Sequence, residues 1–161
     1  MLVVQGTKKF RDRVGSAADG EPETSAVLGR WYATALLWRP QLALFVHETT
    51  LLPVLMPLAP AATVLDRFPD RLREVLELHA VDPRVLVEHT EALRSHCLVP
   101  TTSRSVVGTM NEFTYFARAF RNDDGIDNLD EISIRLAQIP CSPLYKRHIS
   151  PDRELAALLA A

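Results

Sequence analysis

Three short apolar runs stand out in the first half of the chain, because each ends at a brief polar break. They cover residues 31–38, 42–47 and 51–58. Runs of this length with hairpin-sized breaks are typical of antiparallel strands joined by tight turns. Both faces of the runs are apolar, so we expect helices to cover part of each face. Pro53 and Pro57 cannot donate ladder hydrogen bonds, which predicts that the third strand lies at a sheet edge or is broken by a bulge.

After residue 61 the spacing of apolar residues changes from two to about 3.6, which indicates helices. The clearest helix begins near Ser103, and its apolar side chains recur on one face at Val106, Met110, Phe113, Ala117 and Phe120. Pro69 interrupts an earlier stripe and is predicted to split it into a short turn and a helix that begins at the proline. Further helices are predicted at 8–14, from Asp82-Pro83 onward, at 129–138 and at 150–161.

These elements predict an α+β fold, a small antiparallel β-meander covered by several helices. Short strands are also predicted at residues 2–4 and 97–99. The chain, residues 1–161, is predicted to form a single domain, which is the usual outcome at this length. The polar, Gly- and Pro-containing segment at 15–26 is predicted to be a mobile loop. The terminal helix at 150–161 is expected to dock on its own domain or on a partner subunit.

Composition narrows the class of protein without identifying its function. The 161 residues are 47% hydrophobic and 24% charged with a net charge of -2, which excludes a disordered chain and argues against general coating of nucleic acid. No apolar run reaches the about 18 residues of a membrane helix, and the start lacks a signal-peptide pattern. Cys97 and Cys141 are too few for a disulfide framework. These features predict a cytoplasmic protein without membrane contact.

Four segments occur in a fixed order along the first part of the chain. They read GTKK at 6–9, LGRWYA at 28–33, LFVHETT at 44–50 and RSVVGTMNE at 104–112. With its TKK start and RSVxGxMN(D/E) segment, the chain resembles a family of uncharacterised bacterial proteins of about this size, classed as a domain of unknown function. The resemblance covers roughly residues 1–120, does not include the tail after residue 140, and implies no activity.

Two predicted helix starts carry basic residues where acidic ones are usual. A helix N-terminus has a partial positive charge, which favours acidic side chains in the first turn. Here Lys8 and Lys9 open one helix, and Arg104 and Ser105 open the other. The arrangement costs little on a solvated surface, and it becomes favourable when an anion is bound among N–H groups, a cation and a hydroxyl. Lys8, Lys9, Arg104 and Ser105 are therefore the candidate anion-binding residues.

The long helix also carries a polar pair, Asn111 and Glu112, on the flank of its apolar stripe. Asparagine is mildly unfavourable inside a helix, so Asn111 either supports the anion site or bonds structurally to a neighbouring loop. Glu112 is a candidate general base. His47, at a predicted hairpin tip, is a second candidate for proton transfer. Gly108 is expected to permit close approach of another backbone segment.

Metal and cofactor chemistry is not indicated by the sequence. The candidate zinc ligands His89, His96, Cys97 and Cys141 match no standard closed spacing, and the acidic stretch at 123–131 lacks the pattern of a calcium loop. The chain contains no Walker loop and no GxGxxG, GxSxG or HExxH motif. We therefore expect neither a metal site nor a cofactor.

These features lead to one functional hypothesis with two alternatives, and they leave open whether the protein is an enzyme. The leading hypothesis is a small binding or regulatory protein that acts on a macromolecular partner, either a protein or a nucleic acid, or on a phosphate-bearing ligand such as a nucleotide. The first alternative is a metal-independent nuclease of the toxin type, in which cations hold the scissile phosphate and Glu112 or His47 moves protons. The second is a structural oligomeric adaptor. A homodimer is compatible with each of them.

Overall fold

The computed structural model describes residues 1–160, which form a five-stranded sheet and six helices. The strands are β1 (Leu2–Gly6), β2 (Arg30–Leu36), β3 (Leu42–His47), β4 (Pro53–Pro57) and β5 (His96–Pro100). The helices are α1 (Lys8–Val14), α2 (Val64–Leu78), α3 (Pro83–Glu91), α4 (Arg104–Asn122), α5 (Leu129–Ala137) and α6 (Pro151–Ala160). Single 3₁₀ turns lie at Ala61–Thr63 and Ser142–Leu144. Over the described residues, no helix combines the length and the apolar character needed to cross a membrane.

The sheet is mixed, so the predicted fold class of a simple antiparallel meander is wrong. Its strand order is β4-β3-β2-β1-β5. The strands β2, β3 and β4 pair antiparallel, as predicted, but β1 lies parallel to both β2 and β5. Parallel neighbours require long crossover connections, and the pairing of β1 with β5 joins segments that are far apart in the chain. Periodicity within a segment carries no information about such a distant partner.

Helices cover both faces of the sheet, as expected for strands that are apolar on both sides. On one face, α1 and α2 pack over a core that includes the fully buried Phe10 and Trp31. On the other face, α4 and α5 pack over a second core that includes Phe113 and Tyr32. The strand β4 lies at one edge of the sheet, which confirms the prediction made from its two prolines.

The helix α2 differs from its prediction at Pro69. It continues through the proline, so the expected split into a turn and a separate helix is wrong. Proline removes the N–H that would bond to the carbonyl of Leu65. On either side of it, however, Phe68 and Leu72 are fully buried in the core. Burial of this face stabilises one continuous helix, an effect that local propensity does not reveal.

The loop at 15–26 contains no helix or strand, and two hydrogen bonds attach it to the sheet. The Ala18 N–H donates to the carbonyl of Leu98 in β5 (2.8 Å). The Arg30 guanidinium, at the start of β2, donates to the carbonyl of Pro22 (2.6 Å). These bonds attach the loop to β5 at Ala18 and to β2 at Pro22.

The terminal helix expected at 150–161 is α6, and Ala161 lies outside the described residues. Leu155 of α6 is buried in the same core as β1 and α2. The buried Glu154 accepts a hydrogen bond from Arg147 (2.7 Å) and another from the His148 N–H (2.8 Å). Apolar packing and a satisfied carboxylate therefore attach α6 to this chain.

Candidate functional site

The carboxyl ends of the parallel strands lie at one edge of the sheet, and both helices with basic starts begin there. The strand β1 ends at Gly6 and leads into α1, and β5 ends at Pro100 and leads into α4. The strand β2, which pairs in parallel with β1, runs toward the same edge. Open sheets usually bind ligands outside the carboxyl ends of their parallel strands. This edge is therefore the candidate functional region of the fold.

A hydrogen-bond network connects the start of α4 to the sheet. The Tyr32 hydroxyl accepts from the Ser103 N–H (3.0 Å) and lies 3.2 Å from the Thr102 hydroxyl. The Thr102 hydroxyl donates to the side-chain oxygen of Gln5 (2.8 Å), and the Gln5 amide donates to Glu48 (3.3 Å). Gln5 and Tyr32 are buried, and buried polar groups need partners of this kind. The network sets the position of the first residues of α4 relative to β1 and β2.

Two adjoining depressions run along α4 at this edge, and together they form what we call the basic groove. The first has a volume of about 200 Å³, and the residues that line it include Lys9, Trp38, Asn111 and Arg118. The second has a volume of about 420 Å³, and the residues that line it include Thr102, Arg104, Gly108 and Asn111. Asn111 lies between the two depressions and lines both of them.

The charged residues that line the basic groove are all positive. Lys9, Arg104 and Arg118 are exposed, and none of the three forms an ion pair within residues 1–160. The Arg118 guanidinium lies 5.5 Å from the centre of the Trp38 ring, a cation–π contact that orients it. Neighbouring cations without acidic partners raise the electrostatic potential of the groove, which favours an anionic ligand.

Gly108 keeps the second depression of the groove open. A Cβ at this position would meet nothing within 4 Å, so the expected close approach of another backbone segment is wrong. Glycine inside a helix costs about 0.5–1 kcal/mol relative to alanine. The packing of α4 does not require that cost here. The structural effect of Gly108 is to leave the space above this turn of α4 free of side-chain atoms.

The basic groove brings together three of the residues singled out from the sequence, namely Lys9, Arg104 and Asn111. Lys8 does not line it, because the Lys8 ammonium pairs with Asp12 one turn later in α1 (2.8 Å). Ser105 is exposed on α4 but lines neither depression. The four candidate anion-binding residues therefore divide into two that share the groove and two that lie outside it.

His47 is buried at the end of β3 and lines neither depression of the groove. Only 2% of the residue is exposed, its ring centre lies 5.0 Å from that of Trp31, and its Nδ1 accepts from the Thr50 N–H (3.2 Å). Burial lowers the pKa of His47 to about 4, although a hydrogen bond with the Val27 backbone opposes the shift. The imidazole is therefore neutral near pH 7.

Glu112 is exposed on α4 and lines another depression with Tyr115 and Phe116, which shares Asn111 with the basic groove but contains none of its cations. Burial, assisted by the negative charge of Glu112, raises the pKa of the Cys141 thiol to about 11. That thiol is therefore protonated near neutral pH and is a poor metal ligand. Over residues 1–160, no three His, Cys, Asp or Glu side chains are grouped so that they could hold a metal ion.

Beyond Thr102 the groove meets a third depression, which the sequence analysis missed. This polar pocket has a volume of about 620 Å³, and the residues that line it include Gln5, Arg30, Glu48, Thr102 and the loop residues 18–22. Thr102 lines both the polar pocket and the basic groove. A glutamine within the apolar strand β1 was the one local signal of the pocket. The side-chain partners of Gln5 are Thr102, just after β5, and Glu48, just after β3, and only the sheet pairing brings them beside it.

Comparison with known proteins agrees with the resemblance seen in the sequence. The family described as Domain of unknown function (DUF6933) matches residues 3–154. The match includes the segment after residue 140, which the four motifs had left uncovered, and extends into α6. No curated protein and no solved structure shows a significant match. The chain therefore belongs to the DUF6933 family, a domain of unknown function.

Proposed function

We propose that the protein binds a phosphate-bearing ligand in the basic groove and acts as a small binding or regulatory protein. The observation that carries this proposal is that Lys9 and Arg118 line one depression, Arg104 lines the next, and Asn111 lines both, without an acidic residue in the lining of either. Lysine and arginine donate charge-assisted hydrogen bonds to phosphate oxygens, and the asparagine amide adds an uncharged donor. The space above Gly108 provides room for the ligand.

The two alternatives drawn from the sequence have no comparable support. In the nuclease alternative, Glu112 or His47 would move protons at a phosphate held by the cations. Glu112 lines a depression that shares Asn111 with the groove but contains none of its cations, and His47 is buried in β3. The adaptor alternative assigns no role to the exposed cations. Binding is therefore the function that the arrangement of side chains favours.

Replacing Lys9 with alanine is expected to weaken phosphate binding by about 1 kcal/mol, roughly fivefold in Kd, because one cation leaves the groove. Lys8→Ala is the matched control, since Lys8 lies next to Lys9 but pairs with Asp12 outside the groove. Isothermal titration calorimetry with pyrophosphate at low salt measures both variants. Arg104→Ala is expected to weaken binding by at least as much, because a guanidinium can donate two hydrogen bonds to one phosphate.

If Lys9→Ala and Lys8→Ala weaken pyrophosphate binding equally, only the net charge of the surface matters. That result would contradict a site in the groove. Failure of wild-type protein to bind pyrophosphate or any nucleotide at low salt would overturn the proposed function itself. The affinity for pyrophosphate should also fall as the ionic strength rises, because salt screens the attraction between exposed charges.

Replacing Gly108 with leucine is expected to block binding while stabilising the fold. Leucine is a better helix former than glycine by roughly 0.5–1 kcal/mol, and a Cβ at this position meets nothing. The new side chain would occupy the second depression of the groove and exclude a phosphate from Arg104. Ser105→Leu, on the same helix but outside the groove, is the matched control. Thermal unfolding and calorimetry with pyrophosphate test the two effects, and unchanged binding in Gly108→Leu would contradict the proposed position of the ligand.

A further inference from the structure

The polar pocket adjoins the basic groove, because Thr102 lines both of them. Its floor is Gln5 in β1, and residues 18–22 of the loop after α1 cover one side. The Arg30 guanidinium holds this cover by donating to the carbonyl of Pro22 (2.6 Å). A volume of about 620 Å³ is within the usual range for sites that bind small molecules.

The hydrogen bonds within the pocket leave defined groups available for a ligand. Gln5 is only 3% exposed, its side-chain oxygen accepts from Thr102 (2.8 Å), and its amide donates to Glu48 (3.3 Å). A carboxamide has two N–H groups and a carboxylate has about four lone-pair positions. One N–H of Gln5 and most of the acceptor capacity of Glu48 therefore remain unused. The pocket offers an uncharged donor directly beside a carboxylate acceptor.

The charges of the pocket and the groove differ in sign, which sets the direction of a ligand that spans them. The pocket is lined by the carboxylates of Asp19, Glu21 and Glu48, against the single guanidinium of Arg30. The groove on the other side of Thr102 has only cations. A phosphate is repelled by the first region and attracted by the second. The end of the ligand in the pocket must be uncharged or cationic and must be rich in hydrogen-bond donors.

We propose that the polar pocket binds the guanine base of a nucleotide whose phosphate lies in the basic groove, an inference that rests on the proposed function. Guanine presents two N–H donors, at N1 and N2, beside the acceptor O6. The carboxylate of Glu48 can accept from both donors, and the unused N–H of Gln5 can donate to O6. Adenine and cytosine each present only one amino donor at this edge, beside a ring nitrogen that accepts. Their ring nitrogens would place a lone pair against a carboxylate oxygen.

The first test compares GMP, IMP, AMP and CMP as ligands of the wild-type protein by isothermal titration calorimetry. IMP lacks only the 2-amino group of GMP, so this pair isolates one hydrogen bond to Glu48. We expect GMP to bind at least about fivefold more tightly than IMP, which is the low end of the discrimination measured for paired hydrogen bonds to a base. The discrimination against AMP and CMP should be larger. This comparison needs no variant and therefore does not depend on the folding of one.

Glu48→Gln should remove the preference for GMP over IMP, because an amide nitrogen replaces one acceptor oxygen. The matched control is Glu23→Gln, which removes the same charge from an exposed position of the loop at 15–26, outside the pocket. Pyrophosphate serves as a probe without a base, and its binding should not weaken in Glu48→Gln. Arg104→Ala should weaken the binding of all four nucleotides and of pyrophosphate.

The outcomes separate this inference from the proposed function. Equal affinities of the four nucleotides, all weakened by Arg104→Ala, would overturn guanine recognition and leave the phosphate site in place. Tighter binding of AMP or CMP than of GMP would also overturn it. If neither pyrophosphate nor any nucleotide binds, both proposals fail. A preference for GMP that Glu48→Gln removes and Glu23→Gln retains would support the assignment.

Discussion

Replacing Trp31 with alanine is expected to lower the free energy of unfolding by about 3–5 kcal/mol, the range measured when large aromatic residues are truncated in a core. Trp31 is completely buried in β2, with its ring centre 5.0 Å from the rings of both Phe68 and His47. Its indole N–H donates to the carbonyl of Leu28 (2.7 Å). The substitution would create a cavity where α2 packs on the sheet and would leave that carbonyl without its donor.

Trp38→Ala is the matched control, because Trp38 is the second of the two tryptophans in the chain and is only partly buried. We expect it to lower the free energy of unfolding by no more than about 1.5 kcal/mol, since part of its ring already contacts water. Urea unfolding followed by circular dichroism measures both variants at equilibrium. Similar losses in the two variants would contradict the assignment of Trp31 to the centre of the core.

Acidification is expected to destabilise the fold by up to about 3 kcal/mol through His47 alone, a value that follows from its pKa shift. Burial lowers the pKa of His47 from 6.5 to about 4. Between these values the unfolded chain binds a proton that the folded chain does not bind. The stability is therefore complete above about pH 6.5 and decreases as the pH falls toward 4. Burial also lowers the pKa of His79, which acts in the same direction.

The measurement is the free energy of unfolding in urea at several pH values from 7 down to 4.5. His47→Asn should reduce the pH dependence in this range, because asparagine can still accept from the Thr50 N–H but does not titrate. The variant will be less stable at pH 7, so the test is the slope with pH and not the absolute stability. An unchanged slope in His47→Asn would show that His47 does not stay neutral in the folded protein.

Local patterns predicted most individual elements because the physical signals for them are local. The long apolar stripe after Ser103 and the capping side chain of Ser103 itself define the start of α4, where Ser103 accepts from the Val106 N–H (3.3 Å). The three apolar runs became β2, β3 and β4 in the predicted hairpin order. Pro69 was predicted incorrectly, because the burial of Phe68 and Leu72 outweighs the lost helical hydrogen bond.

The candidate site was predicted only in part, for a related reason. Basic helix starts identified Lys9 and Arg104, but they could not separate Lys9 from Lys8, because that difference depends on the pairing of Lys8 with Asp12. The third cation of the groove, Arg118, lies four turns along α4 and carried no signal of its own. It reaches the groove because α4 packs across β2, and Trp38, which contacts Arg118, follows the end of that strand by two residues.

The sequence by itself determined the mixture of helices and strands and the two helices with basic starts, and it limited β4 to a sheet edge or a bulge, since each depends on the spacing or type of nearby residues. Only the tertiary structure decided that β1 lies between β2 and β5. That parallel pairing places Gln5 beside Thr102 and brings the starts of α1 and α4 to one edge. Contacts between residues far apart in the chain depend on how whole faces pack together, and no local pattern encodes them.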